Sequence, residues 1–229
     1  PPQPKELIFG DNSCREYPNR AIFPSKIQPK SCMCENIALS LQKNKYMTFD
    51  DITNDGRLYA VRYDGDNDNA LALIFDLWND VNWLRAFFKE NIEDLASYFK
   101  ITDVNQAIYD TIEDAEHLQC LIMDITPDAN LDLLFKHLEP SRTQDILLGK
   151  EKAKVEDRKR HASWLRLYAI KLAKGVYIIT GGAIKLTATM QERKHTLDEL
   201  SKMEQVRNFL LSEGIVDNEG FEDYQRELI

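Results

Sequence analysis

The stretch Trp164-Leu165-Arg166-Leu167-Tyr168-Ala169-Ile170-Lys171-Leu172-Ala173-Lys174-Gly175-Val176-Tyr177-Ile178-Ile179-Thr180-Gly181-Gly182-Ala183-Ile184-Lys185-Leu186-Thr187 decides how this chain is read. Its two halves are rich in β-branched, aromatic and other apolar residues and are parted by Ala173-Lys174-Gly175. That is a β-hairpin with a three-residue connection, in which glycine takes a positive φ without a Cβ clash. With Leu172 paired to Val176, Arg166 falls opposite Gly182 and Leu167 opposite Gly181. Glycines inside a strand cost packing and mark a bulge or a close approach by another group. Two readings of the pair stay open: a phosphate held by Arg166 over bare backbone, or a bend in the strand.

The hairpin lies inside a charge division. The chain carries 29 Lys and Arg against 38 Asp and Glu, a net of −9. Residues 148 to 194 hold 12 of those cations and 4 of the acids, a net of +8, which leaves −17 on the remainder. An acidic body is a poor general nucleic-acid binder, yet one localised basic face can engage a phosphate backbone or an acidic protein. Residues 140 to 161 are polar and read as loop or mobile helix. They carry Lys150, Lys152, Lys154 and the run Arg158, Lys159, Arg160, His161.

Toward the N-terminus, residues 131 to 138 fit a strand, although eight residues do not settle strand against helix by pattern alone. Residues 103 to 122 and 71 to 99 show the three-and-four apolar spacing of amphipathic helices, the second interrupted at Asn79 or Asp80. Asp103 with Gln106 resembles a capping box. The aromatics Phe75, Trp78, Trp83, Phe87 and Phe88 fall at core spacing, not in a cofactor box. Arg57 to Tyr63 reads as a strand that ends in the turn Asp64-Gly65-Asp66-Asn67-Asp68-Asn69. A calcium loop opening at Asp64 would need glycine where Asn69 stands and glutamate where Phe75 stands. Residues 1 to 46 hold six of the eight prolines and read as an irregular arm, so a single α+β domain is expected over 47 to 229. Beyond the hairpin, Thr196 and Glu199 suggest a capping box opening a helix that ends at Gly214, followed by a solvated acidic tail.

Cys14, Cys32, Cys34 and Cys120 lack the spacing of a finger or a disulfide framework, and free thiols are expected. His117 and Cys120 sit i and i+3 on a helix with no further ligand, so no metal is expected. No apolar run is long enough to cross a bilayer, and a cytoplasmic protein with no membrane partner is expected. A nucleophile elbow, a phosphate-cradling glycine loop and a paired-cysteine redox motif are all missing, which removes hydrolase, nucleotide-binding and redox readings.

The order strand, two helices, strand, basic loop and long hairpin resembles the RelE/HigB/ParE toxin superfamily of bacterial toxin-antitoxin systems. The match is carried by Trp164 to Thr187, above all by the apolar run Val176 to Thr180 leading to glycine, Lys185 and Thr187. The resemblance implies a small antiparallel sheet with helices packed on one face, plus a C-terminal helix. It also implies a ribosome-dependent mRNA endoribonuclease that needs no cofactor or metal, and a cognate antitoxin partner. Such a site needs cations to neutralise the charge of the attacked phosphate and groups to move protons. Arg166 and Lys185 are the phosphate-binding candidates, and His161 or Tyr168 the proton shuttles. Arg158, Lys159, Arg160 and Lys171 are the flanking nucleic-acid contacts. A non-catalytic module using the same basic hairpin to hold nucleic acid or an acidic protein is the alternative.

Overall fold

The computed structural model describes residues 47–138, 147–154 and 161–228. Within them, β1 (Thr48–Asp51), β2 (Leu58–Arg62), β3 (Lys136–His137), β4 (Gly149–Ala153), β5 (Leu165–Ala173) and β6 (Val176–Ile184) form one sheet ordered β1-β2-β6-β5-β4-β3. The pairing of β2 with β6 is parallel and every other pairing is antiparallel, so the sheet is mixed and six-stranded, not small and antiparallel. All nine positions of β6 are buried, which requires cover on both faces.

That cover comes from helices on both sides of the sheet, a correction to the one-faced arrangement. Helices α1 (Ala70–Asn79), α2 (Val81–Glu90) and α4 (Val104–Met123) pack on Leu58, Ala60, Leu165, Leu167, Ala169 and Ile179. On the opposite face, Met203, Val206 and Leu210 of α6 (Lys194–Ser212) and Phe221 of α7 (Asn218–Glu227) pack on Tyr59, Val61, Tyr168, Ile170 and Ile178. The two short helices are α3 (Ile92–Asp94), which runs into a π-turn over Leu95–Phe99, and α5 (Leu131–Leu134). The aromatics of α1 and α2 are core residues: Trp78 and Phe88 are fully buried.

Several boundaries follow from capping. Asp80 ends α1 and caps α2, its carboxylate accepting from the Asn82 and Trp83 amides. Asp103 caps α4, but Gln106 donates to Asp110 and does not close a box. Thr196 lies inside α6 and donates to the Met190 carbonyl; the capping box belongs to Thr189 and Glu192, on the 3-10 turn Met190–Glu192. The stretch 131–138, open between strand and helix by its pattern, is α5 followed by the two-residue β3. The polar stretch 140–161, expected as loop or mobile helix, holds β4. Cys120 is disulfide-bonded, which corrects the free-thiol expectation there, while the other three cysteines and residues 1–46 lie outside the described residues. Among those residues no three metal-ligating side chains cluster, and no helix is long and apolar enough to cross a membrane.

The hairpin also departs from the expected register. Ala173 pairs with Val176 across a two-residue turn, and irregularities at Leu172 and Thr180 leave Arg166 opposite Ala183, Leu167 opposite Gly182 and Tyr168 opposite Gly181. Neither glycine is bare. A Cβ at Gly181, whose φ is +154°, would collide with Glu199 Oε2 of α6, and one at Gly182 would press on Ile74 and Trp78 of α1 at 3.0 Å. The glycine pair admits a helix on each side, and it coincides with a bulge.

The acidic C-terminal stretch is no solvated tail. Phe221 is fully buried between Phe49 (ring centroids 5.2 Å apart) and Tyr59 (4.8 Å), and with Tyr224 against Phe209 it anchors a mostly polar α7. Phe221→Ala is expected to cost about 3–5 kcal/mol in urea denaturation. A loss below about 1 kcal/mol would mean that α7 does not dock.

Candidate functional site

The residues of β4 alternate: Gly149, Glu151 and Ala153 are buried, whereas Lys150 and Lys152 are half-buried. Register pairs Lys152 with Tyr168 and Lys150 with Ile170, which places both lysines on the α6 face of the sheet. Two residues before Tyr168, Arg166 stands on that same face, and Lys185 follows β6 directly. Together with Lys154 and Arg207 of α6 these cations line an open groove of about 950 Å³. Among the described residues no aspartate or glutamate lines it.

Three of the cations form a tight group. Burial pushes the Lys152 amine below its ordinary value, with Arg166 and Lys154 adding to the fall. Burial does the same at Lys185, aided by Arg166 and Lys152. Lys152 Nζ donates to the Leu138 carbonyl at 2.9 Å, and Lys185 Nζ to the Thr187 and Ala188 carbonyls at 2.6 Å each. Neither lysine has a carboxylate partner among the described residues. Arg166 Nη1 donates to the Ser163 and Leu165 carbonyls, both at 2.7 Å. These carbonyls orient the three cations. Lys150 differs, its Nζ standing 2.5 Å from Glu204.

Beneath them, Tyr168 is fully buried and its hydroxyl has no hydrogen-bond partner. Burial raises the phenol well above its ordinary value, so it remains a proton donor across the physiological range. The wall formed by Ala188, Thr189, Met190 and Gln191 is fixed at both ends. Lys185 holds its start, and Arg193 closes its end through two 2.6 Å bonds to the Asp94 carboxylate.

Arg166, Lys185 and Tyr168 are thus brought together. His161 is not: its ring stacks on Trp164 (4.4 Å, 4°) and its Nε2 stands 3.1 Å from Asp110 of α4, on the other side of the sheet. Lys171 also leaves the groove and meets Asp132 at 3.2 Å. Arg158, Lys159 and Arg160 lie outside the described residues. Lys150, Lys152 and Arg207 were not among the sequence candidates, although the alternation Lys150-x-Lys152-x-Lys154 is the period-two signal of a strand with one cationic face. No protein-family model, no curated protein and no solved structure matches this chain.

Because the folded state holds the Lys152 and Lys185 protons less tightly than the unfolded chain, the unfolded chain binds more protons between the lowered values and the ordinary 10.5. Stability contributed by these groups therefore rises with pH through that window. Lys152→Met is expected to flatten this rise and to leave stability at neutral pH unchanged or up to about 1 kcal/mol higher. Urea denaturation across alkaline pH checks it. A loss above about 1 kcal/mol would assign Lys152 a purely structural task at the Leu138 carbonyl.

Proposed function

We propose that the chain is a nucleic-acid-binding module that grips a phosphate backbone in the groove between β4, β5 and α6. The observation that carries this reading is the lining itself: six cations and no acid among the described residues of one concavity, with Arg166 close enough to both Lys152 and Lys185 to add to the fall that burial causes in their proton affinity. Repulsion among buried like charges is a standing cost that a polyanion relieves. The protonated Tyr168 hydroxyl at the floor adds a neutral donor suited to a phosphate oxygen. The acidity of the rest of the surface confines binding to this face and opposes non-specific coating of nucleic acid.

A second reading, a metal-independent toxin-like RNA endonuclease, is favoured by the meeting of Arg166, Lys185 and Tyr168. It keeps the cations that the resemblance implies and must do without the His161 imidazole, so its proton transfers would fall to Lys185 and Tyr168. A RelE-like ancestry, a cognate antitoxin and a ribosome-bound message belong to this second reading.

Fluorescence anisotropy with a single-stranded RNA oligonucleotide separates the readings. The wild-type chain is expected to bind with steep salt dependence. Arg166→Ala with Lys185→Ala is expected to weaken binding at least about tenfold and to lower the log–log salt slope by about 1.4, two phosphate contacts at roughly 0.7 each. Binding that ignores both substitutions, or that a polyglutamate peptide abolishes at equal charge concentration, would move the partner to an acidic protein. Cutting of the oligonucleotide by wild type and not by the double variant would establish the endonuclease.

A further inference from the structure

The cations of the groove lie in two rows. Lys150 and Lys152 on β4, with Lys154 just past its end, recur at every second residue, about 6.6 Å apart along the strand. The second row crosses the strands. Lys152 stands opposite Tyr168, which makes it a diagonal neighbour of Arg166 on one side. Arg166 stands opposite Ala183, and Lys185, two residues past Ala183, is its diagonal neighbour on the other. Diagonal neighbours on one face are about 7–8 Å apart, within reach of long side chains. The crowding registers in proton affinity: after burial, Arg166 is the next cause of the fall at both lysines, and Lys152 adds to it at Lys185.

The two rows suit different anions. Successive phosphodiesters carry one charge each and are met by cations spread along a line. A phosphomonoester carries about 1.5–2 negative charges at pH 7 and three strong acceptor oxygens, which a convergent cluster matches. Donors are at hand for it. An ammonium has three, and among the described residues Lys152 spends one on the Leu138 carbonyl while Lys185 spends two on Thr187 and Ala188. Bases, by contrast, find no stacking platform: among the described residues no Phe or Trp lines the groove, and Tyr168 is fully buried. Discrimination at this site therefore falls to phosphate charge.

Resting on the nucleic-acid reading of this groove, we infer that the cross-strand cluster of Lys152, Arg166 and Lys185 holds the terminal phosphomonoester of a nucleic-acid strand, whose following diesters run along the β4 row. The cluster is then an end-recognition site, and internal stretches of the same strand bind more weakly because they bring one charge to a place built for two.

The test reads anisotropy of the full chain with three RNA oligonucleotides of one sequence at matched salt, bearing a 5′-phosphate, a 3′-phosphate or hydroxyls at both ends. At about pH 7.5 one phosphorylated strand is expected to bind at least about tenfold tighter than the hydroxyl-ended one. At about pH 5, below the second ionisation of the monoester near 6, that preference is expected to shrink to within about threefold. Lys152→Gln with Lys185→Gln is expected to remove the preference, whereas Lys150→Gln weakens all three strands alike. Equal binding of the three strands with steep salt dependence would overturn end recognition and leave the groove reading standing; no binding of any strand would overturn both. A preference undiminished at the lower pH or in the double variant would place the selecting group elsewhere and overturn the proposal. So would a nucleoside 5′-monophosphate that competes as tightly as the phosphorylated strand, since the ligand would then be a small molecule. The wild-type comparison decides even where a substitution disturbs the fold.

Discussion

One bulge in one buried strand sets the geometry on which the rest depends. Side chains of Val176 and Ile178 point to the α6 face, and those of Tyr177 and Ile179 to the α1/α4 face. At Thr180 and Gly181 the alternation slips by one residue, so Ala183 continues on the α6 face and Ile184 on the other. Without that slip, period-two alternation would send Lys185 into the apolar core under α4 and Ile184 into the cationic groove. The bulge in turn requires glycine. At Gly181 the backbone takes a φ of +154° under the Glu199 carboxylate, and at Gly182 it passes beneath Trp78. Backbone freedom and helix approach thus jointly decide which face carries the lysine.

The hairpin was legible because its composition and its Lys174-Gly175 turn are strong local signals. Its register was not, because a bulge is a tertiary event: the residue that loses its partner is chosen by the helices pressing on either side. The two-faced cover has a visible mark in the sequence. Val176 to Ile179 is apolar without alternation, as a strand buried on both faces must be, while a one-faced sheet would show polar residues at every second place. Helix α7 was hidden for the opposite reason, since Phe221 and Tyr224 alone stand for its apolar side in a stretch rich in acids. Likewise β4 was masked by its charge, although its lysines alternate with buried positions as a strand's should.

The site was legible as a set of charges and not as a place. Arg166, Tyr168 and Lys185 share a face because of strand parity and the bulge, whereas His161, five residues before Arg166, belongs to the other face because its ring lies flat on Trp164 and reaches Asp110. Sequence proximity to a basic run says nothing about which side of a sheet a side chain joins. Two acids close to the groove, Glu204 and Glu192, are already engaged. Glu204 holds Lys150 and stands 3.5 Å from Arg207, and Glu192 is turned back onto the Thr189 amide and hydroxyl. Lys152 and Lys185 are held by carbonyls among the described residues, and a carbonyl orients a charge without cancelling it.

Helix α6 is the common wall of two concavities. Leu200 and Arg207 face the cationic groove, while His195, Glu199 and Lys202 line a smaller cavity at the edge of β6. Tyr168 feels both: its phenol is raised first by burial, opposed by Arg166 and reinforced by Glu199. A carboxylate buried without full counter-charge would ordinarily be selected against, because a neutral residue of similar shape removes the cost. Its position explains why a neutral replacement is not equivalent. Glu199 lies on the bare backbone of Gly181 and beside the Gly182 amide, at the bulge that orients Lys185. The acid that shapes the cavity and the strand that aims the groove's lysine are therefore one structural unit, and a change at Glu199 has to be felt on both sides of the sheet's central strand.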